Sequence, residues 1–162
     1  MATRKLAGMS PQIATNTRVD RSAMLEFARH RHRAILVTTR SDGSPQASPV
    51  TCGVDGSGRV SIATYPERAK TVNARRSGTA SVVVLSDDFD GPWMQIDGDA
   101  EVLDLPAALE PLVEYYRSIS GEHPDWDEYR AAMRRQGKSL IRLTPRRWGP
   151  VATGGFPARL GP

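Results

Sequence analysis

Two cations and a run of backbone amides meet in the segment 64–71, where a predicted strand turns into a predicted helix that ends at Gly78. Pro66 fits the first helical turn, where a missing N–H is not needed. The free N–H groups and the positive end of the helix dipole would face an anion. Arg68 and Lys70 would add two full charges, and Arg68 can bind two oxygens at once. The segment therefore predicts a phosphate-binding site.

An alternative explanation of the same charges is a solvated basic helix face that continues into Arg75 and Arg76. The net charge of +4 and the pI near 9.6 also raise the question of nucleic acid. The basic residues are scattered, however, aromatic residues make up only 6% of the chain, and no known nucleic-acid-binding motif accompanies them. The charge pattern therefore favours a small polyanionic ligand over nucleic acid.

Length and composition predict one domain with a real core, since the chain has 162 residues and 39% hydrophobic content. The sequence has no apolar stretch of membrane-spanning length and no signal-peptide block at its amino terminus. We therefore expect a soluble cytoplasmic protein that does not bind membranes. Cys52 is the single cysteine, and His30 and His32 would point to different faces of a helix. No disulfide and no metal site are expected.

The order of the predicted elements indicates a mainly β (α+β) protein. The predicted strands are 33–39, 45–54, 59–63, 79–86, 93–105 and 138–144, and helices are predicted at 21–32, after residue 64, at 106–120 and at 125–136. Asp42-Gly43 is a strong hairpin signal, and Gly98 indicates a bulge. Pro49 indicates an edge or an irregularity of its strand. Hairpins with few helices favour a closed or partly closed antiparallel barrel.

The ends of the chain differ from the middle. Residues 1–18 are polar and lack periodicity, so we expect a mobile amino-terminal extension. Residues 19–145 would form the cofactor-binding barrel, and residues 146–162, rich in proline and glycine, an extended arm. Asp125 is predicted to cap the last helix together with Glu128, and a role of this segment in substrate gating is the alternative.

Four motifs in order resemble the split β-barrel flavin and deazaflavin oxidoreductases, the superfamily of pyridoxamine 5′-phosphate oxidase. The likeness is greatest to actinobacterial members that use coenzyme F420. The segments that carry it are 34–39, 42–50, 68–76 with its Arg68-Ala69-Lys70-Thr71 start, and 116–126. The resemblance implies a six-stranded antiparallel split β-barrel with peripheral helices. It also implies a homodimer with two cofactor clefts at the subunit interface.

The resemblance also implies which residues hold the cofactor. Arg68 and Lys70 match phosphate ligands, and the strand segment 46–50 would lie along the tricyclic ring. Trp93 would come from the partner subunit or border the ligand's tail, although an isolated tryptophan at a strand start more often packs in a core. The full implied set is Gln46, Ser48, Pro49, Val50, Thr64, Tyr65, Arg68, Lys70, Thr71 and Trp93. No residue is assigned a catalytic role.

Coenzyme F420 extends beyond its phosphate through lactate to a polyglutamate chain, whereas FMN ends in the phosphate. Additional cations, for which Arg75 and Arg76 are candidates, would favour the longer anion. The resemblance then implies an oxidoreductase that transfers a hydride from reduced F420 to a small conjugated electrophile such as an enone or quinone. The alternatives are an FMN-binding flavoprotein of the pyridoxamine 5′-phosphate oxidase type and a non-catalytic cofactor-binding module. Vitamin B6 oxidation is disfavoured, because the carboxyl end lacks the expected arginine and histidine pair.

Overall fold

The structure is a computed structural model that describes residues 12–161. Within this range the chain forms nine strands and four α-helices. The strands are β1 (Asn16–Thr17), β2 (Arg33–Thr39), β3 (Pro45–Thr51), β4 (Gly53–Val54), β5 (Val60–Thr64), β6 (Thr79–Val84), β7 (Met94–Leu103), β8 (Ser139–Trp148) and β9 (Val151–Ala152). The helices are α1 (Arg21–Arg29), α2 (Ala69–Ser77), α3 (Leu109–Ser120) and α4 (Trp126–Gln136).

Seven strands form one antiparallel sheet in the order β3-β2-β6-β7-β8-β5-β4, and β1 pairs separately with β9. The two edge strands, β3 and β4, are joined by Cys52 alone. Because one residue connects the opposite edges, the sheet must curl until they meet, which gives a half-barrel consistent with the split β-barrel. The predicted mainly β class is confirmed. The predicted count of six strands is wrong, because the chain bends at Cys52 and divides the predicted strand 45–54 into two.

The core follows from alternation along the strands. In β2 the side chains of Ala34, Leu36 and Thr38 are buried, and the residues between them are more exposed. The same alternation in β6 directs Val82 and Val84 inward. These faces pack with α1 into the barrel interior. A second cluster lies beneath α3 and α4 and includes Leu112, Val113, Tyr129, Met133 and Leu140.

Gly98 marks a bulge, as the sequence predicts. Asp97 pairs with Arg147 while Gly98 pairs with Pro145, so the register of β7 against β8 shifts between these two positions. A Cβ atom at Gly98 would collide with the carbonyl oxygen of Thr144. A glycine is therefore required where the two backbones approach most closely.

The cap of α4 is only partly the predicted one. The Asp125 side chain accepts a hydrogen bond from the Glu128 N–H at 3.0 Å, which confirms the cap. The Asp125 N–H, however, donates to Nδ1 of His123 at 2.9 Å, and the Glu128 carboxylate pairs with Arg135. His123 therefore takes the reciprocal role that the sequence assigned to Glu128.

The two chain ends lie together where they are described. Asn16 and Thr17 of β1 pair with Ala152 and Val151 of β9, and Ile13 bridges to Phe156. Residues 1–11 of the predicted extension lie outside the described residues. The last sheet strand, predicted to end at Thr144, continues to Trp148. The division of the chain at residues 18 and 145 stays a prediction. Among the described helices, none combines the length and the apolar character needed to cross a membrane.

Candidate functional site

The junction between β5 and α2 is built by a tight turn. The Arg68 N–H donates to the Tyr65 carbonyl oxygen at 3.2 Å, so Pro66 occupies the second position of a four-residue turn. Proline suits that position because its fixed φ matches the turn. The helix begins at Ala69, so the expectation that Pro66 starts the helix is wrong.

The amino terminus of α2 has no side-chain cap among the described residues. The Arg68 carbonyl oxygen accepts hydrogen bonds from the Thr71 and Val72 N–H groups at 2.9 and 3.0 Å. In the part of the chain that the structure describes, the N–H groups of Ala69 and Lys70 have no such acceptor. They are therefore left to bind an anion at the positive end of the helix dipole.

Thr64 and Thr71 hold this junction together from inside. Both side chains are buried, and their hydroxyl oxygens lie 2.9 Å apart in a hydrogen bond. The bond joins the last residue of β5 to the first turn of α2. The two predicted site residues thus face the interior and fix the turn on which the cations stand.

Lys70 and Lys138 border a cleft of about 440 Å³ between the sheet edge and the late helices, and Arg68 is not among the residues that line it. The cleft brings together Pro49 and Val50 of β3, Lys70 of α2, and Lys138 at the start of β8. Its helical wall includes Tyr115 of α3 together with Tyr129 and Met133 of α4. The structure therefore brings together two strand residues and one cation that the sequence predicted.

Three basic side chains, Arg68, Lys70 and Lys138, form what we call the cation cluster. The Lys138 Nζ lies 3.9 Å from the centroid of the Tyr65 ring, and the Arg68 Cζ lies 5.9 Å from it. Burial and the neighbouring charges of Arg68 and Lys138 lower the pKa of Lys70. None of the three forms an ion pair with another described residue. The cluster is a concentrated positive charge that lacks a counterion among them.

Arg75 and Arg76, at the other end of α2, have partners. Arg75 binds the carboxylate of Asp104 with contacts of 2.9 and 3.0 Å. Arg76 donates to the carbonyl oxygen of Thr39 and, at 3.2 Å, to the side-chain oxygen of Asn73. The expectation that these two arginines supply additional cations to the cleft is wrong, because both hold the helix to neighbouring segments.

Strand β3 is an edge of the sheet, as Pro49 predicts. Gln46 accepts a hydrogen bond from the Thr38 hydroxyl at 3.1 Å, and Thr38 accepts one from Asn73 of α2 at 3.2 Å. This chain fixes the side chain of Gln46 relative to the helix. The hydroxyl oxygen of Ser48 is buried and has no hydrogen-bond partner among the described residues. An unsatisfied buried polar atom on this strand is a position where a ligand can supply the missing bond.

Trp93 lies apart from the cation cluster. It is 40% exposed and lines a separate cavity of about 620 Å³ with Phe89 and Phe156. It precedes β7 at Met94, whereas the cleft lies near the other end of that strand at Leu103. Ten residues of strand separate the two by about 30 Å. Within the chain, the structure does not bring Trp93 to the predicted cofactor residues.

Of the ten residues that line the cleft, the sequence predicted Pro49, Val50 and Lys70, and Tyr115, Tyr129 and Lys138 are among those it missed. The Tyr115 hydroxyl donates to the Thr51 carbonyl at 2.9 Å, and the Tyr129 hydroxyl donates to the Leu112 carbonyl at 2.9 Å. Burial raises the pKa of Tyr115 and raises that of Tyr129 to about 12. The spacing of Trp126, Tyr129 and Met133 along the predicted helix 125–136 places Tyr129 on an apolar face, which is the only signal for it in the sequence. Lys138 had no local signal, because its position depends on where α4 ends.

Comparison with known proteins identifies the family to which the chain is similar. Residues 21–152, more than half of the chain, match the family model described as pyridoxamine 5′-phosphate oxidase. An F420H(2)-dependent biliverdin reductase of Mycobacterium tuberculosis is 32% identical over 115 residues, which cover 70% of this chain and 81% of the reductase.

Two solved structures share the fold. The crystal structure of a conserved hypothetical protein of Mycobacterium tuberculosis has a TM-score of 0.69 at 20% identity, over 86% of this chain and 89% of that one. A structure named F420 reductase has a TM-score of 0.57 at 17% identity, over 76% of this chain and 93% of the other.

Proposed function

Since this chain belongs to the pyridoxamine 5′-phosphate oxidase family, we propose that it is an oxidoreductase that uses reduced coenzyme F420. It transfers a hydride to a small conjugated electrophile, such as an enone or a quinone. The observation that carries the proposal is the cation cluster, which stands without a counterion at the junction of β5 and α2. The relative named for F420H(2)-dependent reduction supports the choice of cofactor.

The residues present fit a phosphate-bearing cofactor with an extended ring. Arg68, Lys70 and the amides of Ala69 and Lys70 bind its phosphate. The segment 46–50 would hold the tricyclic ring, with Pro49 and Val50 as the residues that contact its pyrimidine edge. The Ser48 hydroxyl, otherwise without a described partner, can hydrogen-bond to it. Thr64 and Thr71 fix the turn, and Tyr65 lines the phosphate end of the cleft.

When bound, the deazaflavin supplies the two-electron chemistry by giving up a hydride from carbon 5. The protein's part is to fix the distance and the accessible face of the ring and to exclude water. Tyr115 and Tyr129 contribute to the wall of the cleft, and their raised pKa values keep both phenols protonated near neutral pH.

We propose a homodimer with two such clefts at the subunit interface. Support comes from the outer face of the sheet, where Pro49, Ile35 and Val83 lie side by side on three neighbouring strands. Such an apolar row across a sheet is suited to packing against a second copy. Trp93 of the partner subunit would then complete the cleft, which accounts for its distance from the cation cluster within one chain.

Anaerobic mixing of the protein with reduced F420 and a panel of enones and quinones tests the proposal. We expect the cofactor to be oxidised at hundreds of times the background rate with at least one acceptor. Tight binding without turnover on any acceptor would indicate a non-catalytic binding module instead. A yellow protein with FMN absorbance after purification would indicate the flavin alternative.

A single substitution tests the phosphate ligands. Lys70→Ala removes one charge-assisted hydrogen bond, worth roughly 1.5–3 kcal/mol, so we expect F420 to bind about 10- to 100-fold more weakly. Arg134→Ala is the matched control, because Arg134 is an exposed cation of α4 outside the cleft. Fluorescence titration measures both affinities, and equal affinity of the two variants would rule out the assignment.

A further inference from the structure

We infer that Lys138 binds a second negative group of the same ligand whose phosphate lies at Arg68 and Lys70. The inference rests on the proposed function and deepens it by naming the ligand class. The site takes an anion that carries at least one negative group beyond a terminal phosphate, such as a phosphodiester followed by carboxylates. A cofactor that ends in a single phosphate leaves Lys138 without a partner.

The position of Lys138 is set by the end of α4. Gly137 terminates the helix in the left-handed conformation at φ 61°, and the Lys138 N–H donates to the Met133 carbonyl oxygen at 3.2 Å. The chain then enters β8 at Ser139. Because the helix ends immediately before Lys138, the side chain extends over the ring of Tyr65, and its Nζ lies 3.9 Å from the ring centroid. A late helix thus delivers a third cation to a site that is otherwise made by β5 and α2.

Nearby carboxylates do not neutralise Lys138. Asp104, whose carboxylate binds the adjacent Ser139, accepts the Ser139 hydroxyl at 2.6 Å and the guanidinium of Arg75. Glu128 of α4 pairs with Arg135 at 2.7 Å. Both acidic groups are therefore already engaged, and Lys138 has no ion pair within residues 12–161.

The three charges of the cluster lie close together. The ammonium of Lys138 and the guanidinium of Arg68 are separated by no more than the sum of their distances to the Tyr65 ring. Besides burial, the charges of Arg68 and Lys138 both lower the pKa of Lys70, so the three groups repel one another. Their mutual repulsion opposes folding, so a ligand that supplies negative charge has a strong advantage there.

The number of positive charges at the site indicates that Lys138 binds a second negative group of the ligand. A phosphate monoester carries about −1.5 to −2 charges at neutral pH. Arg68 and Lys70 already supply two positive charges beside the amides at the helix terminus. The charge of Lys138 exceeds what one phosphate can neutralise. It is therefore available to a carboxylate or a further phosphate oxygen on the same molecule.

The test compares how much one substitution weakens the binding of two ligands, each relative to the wild-type affinity for that ligand, because the shorter one ends in a more highly charged phosphate monoester. One is F420 with its glutamate tail, and the other is the same deazaflavin ending in the phosphate. Lys138→Met retains most of the aliphatic stem over Tyr65 and removes the charge. We expect it to weaken binding of the tailed form about tenfold by fluorescence titration, and binding of the tail-less form less than about twofold.

Controls separate the possible outcomes. Lys138→Arg keeps the charge and should restore the preference for the tailed form, while Arg134→Ala should affect neither ligand. An equal loss for both ligands in Lys138→Met would place Lys138 at the shared phosphate and overturn the inference, as would no loss for either. If the wild-type protein binds neither ligand, the proposed function itself fails. If the wild-type protein binds F420 as expected but Lys138→Met does not discriminate between the two ligands, only the inference about Lys138 fails.

Discussion

The two ends of helix α2 carry the same number of basic residues but differ in what surrounds them. At the amino end, Lys70 lines a cleft, and neither Arg68 nor Lys70 has an ion-pair partner among the described residues. At the carboxyl end, Arg75 pairs with Asp104, and Arg76 bonds to Asn73 and to the backbone of Thr39. One end has charge available for a ligand, whereas the other attaches the helix to the sheet.

The two ends therefore differ in whether neighbouring groups neutralise their cations, and not in the number of cations. Arginines at the carboxyl end of a helix also favour its dipole, so Arg75 and Arg76 stabilise the fold in two ways. Arg68 and Lys70 sit at the positive end of the same dipole, where cations are unfavourable. A bound anion would offset that cost, which supports the proposed phosphate site.

The largest expected effect is on binding at the amino end. The double variant Arg68→Ala/Lys70→Ala should weaken F420 binding at least about 100-fold, because two charge-assisted contacts are lost. Arg75→Ala, on the same helix, should change the affinity by less than about threefold, since an exposed ion pair contributes little elsewhere. Equilibrium titration with the cofactor's own fluorescence measures both. If Arg75→Ala lost as much F420 affinity as the double variant, the two ends of α2 would not differ in ligand binding.

Substitutions at the carboxyl end should lower the free energy of unfolding more than substitutions at the amino end, which is the reverse of their effect on binding. This effect should be the smaller of the two. Arg76→Ala removes the hydrogen bonds to Thr39 and Asn73, so we expect the free energy of unfolding to fall by about 1 kcal/mol. Lys70→Met removes a repulsive charge and should cause no loss of stability. Urea denaturation of the ligand-free protein measures both free energies. If the Lys70→Met protein were less stable than the Arg76→Ala protein, the two ends of α2 would not differ in the way described.

Local signals in the sequence were sufficient for much of the fold. The Asp42-Gly43 hairpin, the Gly98 bulge and the Asp125 cap each depend on a few adjacent residues, and the structure has all three. The junction of β5 and α2 is also local, so Arg68 and Lys70 could be placed together from their spacing. Prediction succeeded where one turn or one register determines the geometry.

What the sequence could not reveal depends on distant pairing. Lys138 meets Tyr65 only because α4 ends at Gly137 and β8 pairs with β5. The partner of Arg75 is Asp104, which lies 29 positions away along the chain. No periodicity or spacing encodes either contact. The same reason explains why Arg75 was assigned to the ligand and Lys138 was overlooked.

The smallest expected effect is a difference between the two ends of α2 in how the free energy of unfolding depends on pH. The pKa of Lys70 is lowered in the folded protein by burial, Arg68 and Lys138, so the unfolded chain binds more protons between the lowered and the ordinary value. The free energy of unfolding should therefore rise with pH through this alkaline window. We expect Lys70→Met to lack this rise when its stability is compared with that of the wild type between about pH 8 and pH 11, around the ordinary lysine pKa.

Asp104, at the carboxyl end, should respond at acidic pH instead. Hydrogen bonds from Arg75 and Ser139 lower its pKa, so its contribution is complete above the ordinary pKa of aspartate and is lost as pH falls through the lowered value. Because its side chain is 47% exposed, the contribution should be below about 1 kcal/mol. Asp104→Asn should remove an acid-dependent loss and leave the alkaline rise intact. If both substitutions changed stability in the same pH window, the two ends would be electrostatically one site, and the assignment of ligand binding to only one of them would fail.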